Sequence, residues 1–116
     1  MPTDTLSKVF TALADPTRRD IVARLSVADA TVNQLAEPYR MSLQAVYKHL
    51  RALEQAGVVS RAPGPQPRPV RLEIGALESM DEWIERYRRQ AEERYRRLDD
   101  VLATLNDPDH EEESRP

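Results

Sequence analysis

From Ala76 to Leu105 the sequence reads as one long amphipathic helix, and this stretch constrains the fold more than any other feature. Thirty residues at ~1.5 Å rise make a rod of about 45 Å, longer than one small core can cover. Its apolar positions recur at near-heptad spacing: Leu77, Met80, Ile84, Tyr87, Ala91, Leu98, Val101 and Leu105, widened by Trp83, Tyr95 and Leu102. A stripe of that length needs a second surface to bury it, and a twofold-related copy of the same chain supplies one. Acids and bases four residues apart (Glu82/Arg86, Glu85/Arg89, Glu92/Arg96, Glu93/Arg97) mark the opposite face as solvated.

The rest of the 116 residues is enough for one ordinary domain and too little for two cores. Leu6, Val9, Phe10 and Leu13 share one face of a first helix, which stops at Asp15-Pro16. Asp15 suits an N-cap and Pro16 the first position of a second helix, with Ile21, Val22 and Leu25 inward. Thr31 with Gln34 three residues on spells a capping box for a short third helix, limited by Pro38. Ser42 caps a fourth helix running to about Ala56, and Gly57 suits the left-handed residue that ends it. Val58–Arg61 and Val70–Ile74 read as two short strands around a loop of alternating prolines, with Gly75 closing the hairpin. The fold class is mainly α with a small β-hairpin, in the order α-α-α-α-β-β-α. Residues 1–105 form the domain and 106–116 a disordered acidic tail.

Charge is unevenly placed. The tail from Asn106 holds five acids and one base, whereas Arg40 to Arg71 holds six bases and one acid. Two short helices joined by a turn and followed by a hairpin make a winged helix-turn-helix. On its fourth helix Val46, Leu50 and Leu53 face one way, and Gln44, Tyr47, Lys48 and Arg51 the other. An α-helix fits the major groove of double-stranded DNA, where glutamine pairs with adenine and arginine or lysine with guanine. Thr31, Arg40 and Ser42 lie where phosphate is held, and Arg68, with Arg61 and Arg71 nearby, is placed to reach a minor groove or the backbone. Tyr47 either stacks on a sugar, reads a thymine methyl or packs on the turn, and His49 falls on the helix flank, where a structural role fits.

Other chemistries find little support. There is no cysteine, so disulfides and thiolate metal sites are excluded, and the two histidines lie far apart. Ser42, His49 and Asp15 have structural explanations, no glycine loop cradles phosphate, and no cofactor or enzyme activity is expected. No apolar run approaches the roughly 20 residues of a membrane span. The absence of a secretory pattern argues for the cytoplasm. The alternative reading is a winged-helix protein-interaction module without specific DNA binding, against which stands the basic, polar face of the fourth helix.

The segment Ala14-Asp15-Pro16-Thr17-Arg18-Arg19, the run from Gln34 to Ser42, and Ala45 to Leu53 followed by Ala56-Gly57-Val58-Val59 resemble the ArsR family of bacterial winged-helix regulators. The resemblance covers about residues 6 to 105. It implies a dimeric repressor of transcription, its own included, acting at an inverted-repeat operator. It also implies that the first and last helices build the dimer interface, here Leu6, Phe10, Met80, Trp83, Ile84, Tyr87, Ala91 and Leu98. Trp83 and Tyr87 are read as interface core in preference to the wall of a small-molecule effector site. Metal-sensing relatives carry cysteines in the third helix, or Asp and His ligands in the last. Val32 to Glu37 has no cysteine and the last helix no histidine, so the chain resembles a metal-independent branch. Tyr47 stands where that branch commonly has a small hydroxyl residue, which implies a different operator preference.

Overall fold

The four N-terminal helices begin where a side chain can satisfy their unpaired amides. The computed structural model describes residues 4–106. Asp4 caps α1 (Thr5–Leu13) by accepting from the Ser7 amide at 2.7 Å. Asp15 caps α2 (Pro16–Leu25), accepting from the amides of Thr17 at 2.8 Å and Arg18 at 3.2 Å, with Pro16 inside the first turn. At α3 (Val32–Ala36) the capping box forms: Thr31 Oγ1 accepts from the Gln34 amide at 3.3 Å, and Gln34 Oε1 accepts from the Thr31 amide at 2.8 Å. Ser42 Oγ accepts from the Ala45 amide at 3.1 Å and starts α4 (Leu43–Gln55).

Gly57 ends α4 with φ +77°. Its amide donates to Glu54 O at 3.0 Å and the Val58 amide to Leu53 O at 2.9 Å, so the chain reverses without orphaned carbonyls. The turn delivers Val58, fully buried, straight into the core beside Leu53. Strands β1 (Val59–Arg61) and β2 (Val70–Leu72) then pair antiparallel in the register Val59↔Leu72, Ser60↔Arg71, Arg61↔Val70. On its other edge β2 pairs with Ala30: the Val70 amide donates to Ala30 O at 2.7 Å, and the Ala30 amide returns to Val70 O at 3.2 Å.

Both strands are shorter than the alternation of apolar residues predicts. Val58 belongs to the turn, and the Glu73 amide donates back to Val58 O at 2.8 Å, which closes the hairpin at Leu72. Ile74, expected in the strand, is instead the first residue of α5 (Ile74–Leu105), and Gly75 lies inside that helix. Ile74 is 54% exposed, so no burial holds it in the sheet.

The chain divides into two units, Met1–Asp81 and Glu82–Pro116. The first holds the core: Val9, Ala12, Ile21, Leu25, Val32, Leu35, Val46, Leu50, Leu53, Ala56, Val58, Val59 and Val70. Leu13, Val22, Ala36, Ala76 and Met80 pack against it, half-buried. Each core Leu or Ile withdrawn from water contributes about 1.5–3 kcal/mol. In the second unit the described residues are helix to Leu105, and none of them is buried. The rings of Trp83 and Tyr87 meet there at 4.8 Å and 58°. Glu85 pairs with Arg88 and, at 3.9 Å, with Arg89. The other pairs expected at four-residue spacing do not close among the described residues, since exposed long side chains gain little by being held. The tail expected over 106–116 lies, from residue 107 on, outside the described residues.

Two stability measurements follow. A Cβ on Gly57 meets no atom within 4 Å, so Gly57→Ala bears only the left-handed backbone strain. Urea denaturation is expected to show a loss of about 1–2 kcal/mol with an unchanged slope. The carboxyl of Asp15 is half-buried, which works against its charge, but the amides of Arg18 and Thr17 and the fields of His49 and Arg18 outweigh this and hold its pKa below the ordinary value. That stabilisation is complete above the unfolded pKa of about 4 and is lost as pH falls through the depressed folded value. Asp15→Ala is therefore expected to lower stability by ~1 kcal/mol near neutrality. Its gap to the parent protein should narrow in acid, read from melts across pH.

Candidate nucleic-acid interface

The C-terminal carbonyls of the five-residue α3 need donors, and α2 supplies them. Arg24 donates from Nη1 to Leu35 O at 2.8 Å and from Nη2 to Gln34 O at 2.9 Å. The same guanidinium lies 5.5 Å from the centre of the Tyr39 ring, and the Tyr39 hydroxyl donates to Asp20. Partial burial and the bond to Asp20 push the phenol's pKa up, so it stays protonated and donating. The turn between α3 and α4 is thus clamped to α2 from below. Arg19 does the same for α1, donating to Leu13 O at 2.9 Å and Ala14 O at 3.0 Å.

Held this way, α4 buries Val46, Leu50 and Leu53 and turns Gln44, Tyr47, Lys48 and Arg51 to solvent. Those four line a shallow cleft of about 460 Å³. It presents two cations, an amide that both donates and accepts, and a phenol, with no acid in its lining. This is the donor-rich surface that base edges in a major groove can meet. Tyr47 is 42% exposed, so it is not absorbed into the turn. His49 sits half-buried on the flank, and its Nδ1 accepts from Arg18 Nε at 3.1 Å, the structural role expected of it. Arg40 is exposed in the turn, and the hydroxyls of Thr31 and Ser42 are engaged as caps.

The three wing arginines differ. Arg61 Nε donates to Glu54 at 2.9 Å and Arg71 stands 3.9 Å from Asp29, so a carboxylate balances each. Arg68 is half-buried, and its Nε is buried with no hydrogen-bond partner among the described residues. The sequence groups the three as one basic cluster. The fold distinguishes them by their partners, Glu54 seven residues before Arg61 and Asp29 far from Arg71 in the chain.

The expected dimer residues fall in two places. In the first unit Leu6, Phe10 and Met80 are half-buried. In the second, Trp83, Ile84, Tyr87, Ala91 and Leu98 are exposed, Leu98 by 52%. Sequence reasoning missed Asp20, Arg24, Tyr39 and the Arg18–His49 bond, which position the site. An arginine in the last turn of a helix beside a short helix in need of donors was the one signal for Arg24. Among the described residues no group of three His, Cys, Asp or Glu could hold a metal ion, and no helix is long and apolar enough to cross a membrane.

Comparison with known proteins agrees with this geometry. A helix-turn-helix domain family matches residues 13–61. The chain is 40% identical over 55 residues to the transcriptional repressor SdpR of Bacillus subtilis (strain 168), a match spanning 47% of this chain and 61% of SdpR. It is 33% identical over 93 residues to the HTH-type transcriptional regulator Rv2034 of Mycobacterium tuberculosis (strain ATCC 25618 / H37Rv), covering 80% of this chain and 87% of the relative. The crystal structure of an ArsR family transcriptional regulator superposes with a TM-score of 0.72 at 34% identity, over 77% of this chain and 98% of the other. The chain belongs to the ArsR family of winged helix-turn-helix, DNA-binding transcriptional regulators.

Proposed function

We propose that the protein is a homodimeric repressor that binds an inverted-repeat operator, the one upstream of its own gene included. The observation that carries this reading is the cleft on α4 with no acid in its lining, where Gln44, Tyr47, Lys48 and Arg51 stand together on a helix fixed from behind by the core. In this reading Gln44 pairs with adenine, Lys48 and Arg51 pair with guanine, and Tyr47 meets a sugar or a thymine methyl. Thr31, Arg40 and Ser42 hold phosphates beside them, and Arg68 and Arg71 carry the wing's contribution. Repression, as against activation, is supported by the relationship to a protein named as a transcriptional repressor.

The dimer is part of the same reading. Ile84, Tyr87, Leu98, Val101 and Leu105 leave an apolar stripe on a helix that buries nothing beyond Asp81. A second copy that covers Leu6, Phe10, Met80, Trp83, Ile84, Tyr87, Ala91 and Leu98 would shield it. Twofold symmetry then sets two recognition helices about 34 Å apart, one turn of DNA.

Fluorescence anisotropy with the fragment upstream of the gene, and a scrambled duplex as control, tests the whole. At least a thousandfold preference for the native fragment is expected of a specific regulator. Equal, weak binding to both, with no preference in a genome-wide selection of bound fragments, would favour a protein-interaction module instead. Arg51→Ala is expected to weaken operator binding by about 1–3 kcal/mol and to relax the preference at one base pair. Leu98→Glu is expected to give a monomer by sedimentation and to weaken operator binding by ~100-fold or more, since the second half-site is no longer bound from an already attached molecule.

A further inference from the structure

Helices α1 and α4 meet over three alanines, Ala12, Ala52 and Ala56, which line one side of a cleft of about 510 Å³. Ala12 and Ala56 are buried, so that side is apolar. Lys8 of α1 and Arg18 of α2 also line the cleft, and no acid does. Neither cation forms an ion pair among the described residues. Lys8 is exposed and Arg18 half-buried. Arg18 Nε donates to His49 Nδ1 at 3.1 Å, and Arg18 Nη1 reaches Ala12 O only at 3.5 Å, the outer limit for such a bond. A guanidinium carries five N–H groups, so Arg18 keeps donors to offer. Asp15 feels the field of Arg18, but its carboxylate is committed to the amides of Thr17 and Arg18 and lies outside the lining.

Two cations beside an apolar wall complement one kind of ligand, a small organic anion with a compact apolar body. An inorganic anion would leave the alanines uncovered, and a neutral apolar molecule would leave the charges unmet. The cleft is also compatible with the dimer. At about 100° per residue, Lys8, Thr11 and Ala12 fall on the arc of α1 opposite Leu6, Phe10 and Leu13. A second copy seated on Leu6 and Phe10 leaves the cleft open.

We propose that this cleft is an effector site for a small carboxylate with an apolar body. Lys8 and Arg18 meet the carboxylate, the alanine methyls cover the body, and Thr11 and Gln55 supply further hydrogen bonds. One wall is α4 itself, and Arg18 is bonded to His49 between Lys48 and Arg51 on that helix. An anion that draws the Arg18 guanidinium into the cleft draws it from His49, and the helix that carries the reading side chains loses a support. This effect on DNA rests on the DNA-binding reading above, whereas binding of the carboxylate does not.

The test titrates the full-length, isotope-labelled protein with benzoate and follows its backbone amides by NMR. Benzamide supplies the apolar body without charge, and acetate the charge without the body. Benzoate is expected to shift the amides of Lys8, Thr11, Arg18, Ala52 and Gln55 saturably, with both controls weaker by about tenfold or more. Lys8→Gln should weaken binding several-fold. Ala52→Leu fills the cleft without touching the outer face of α4 and should abolish binding, with melting curves to check that the fold is kept. In anisotropy at fixed ionic strength, saturating benzoate is expected to weaken operator binding several-fold in the parent protein and not in Ala52→Leu. Benzamide binding as well as benzoate, shifts centred on Lys48 and Arg51, or no saturable shift would each overturn the site. Operator affinity unchanged by bound benzoate would overturn its role as an effector site. The two readings fail separately: a parent protein without sequence preference sinks the operator reading, while the amide shifts still decide whether the carboxylate binds here.

Discussion

Val70 holds the hairpin and the helix-turn-helix in one geometry. Fully buried, it is paired in register with Arg61 on one side and exchanges both backbone hydrogen bonds with Ala30 on the other. Ala30 immediately precedes the cap of α3, so the hairpin is fastened to the start of the helix-turn-helix and not merely appended after α4. With Val70 fixed, Gln66, Pro67 and Arg68 of the loop border one crevice with Thr31 and Tyr47. An isolated two-stranded hairpin is marginal in water, and here the third pairing and the core beneath supply what two short strands lack.

The rest of the arrangement is a set of answers to orphaned helix ends. Asp4, Asp15, Thr31 and Ser42 satisfy amides, while Arg19, Arg24 and Gly57 satisfy carbonyls or let the chain turn back to do so. Because α2 is the element that reaches both α1 and α3, it is where two of the arginines sit. Those positive charges in the chain's N-terminal half are therefore occupied inside the protein. No ion pair holds the cations on α4 among the described residues, so a chain with a net charge of −3 can still present a cleft with no acid in its lining.

Much of this was legible in the residues. Caps and apolar spacing placed α1 to α4 to within a residue or so, and the opposite arcs of α4 came out as the buried and exposed faces. What failed to show were contacts between residues far apart in sequence. Ala30 pairs with β2 through a single bridge that leaves no alternating pattern to detect. Ile74 continued the alternation of Val70 and Leu72, yet the hydrogen bond from Glu73 to Val58 ends the sheet before it. Arg61, Arg68 and Arg71 look equivalent as letters, and only the fold reveals that Glu54 and Asp29 meet two of them.

The proline-rich hairpin loop has a consequence for thermodynamics. Pro63, Pro65, Pro67 and Pro69 fix four backbone angles in eight residues, and the Ala62 amide closes the base of the loop onto Pro69 O at 2.8 Å. A flexible wing would have to surrender many conformations on meeting DNA, and that loss would offset part of its contact energy. Here most of those conformations are already absent in the unbound protein. Association at the wing should then resemble two rigid surfaces meeting. Its heat-capacity change should reflect the area covered, without the additional contribution that a segment folding on contact would bring.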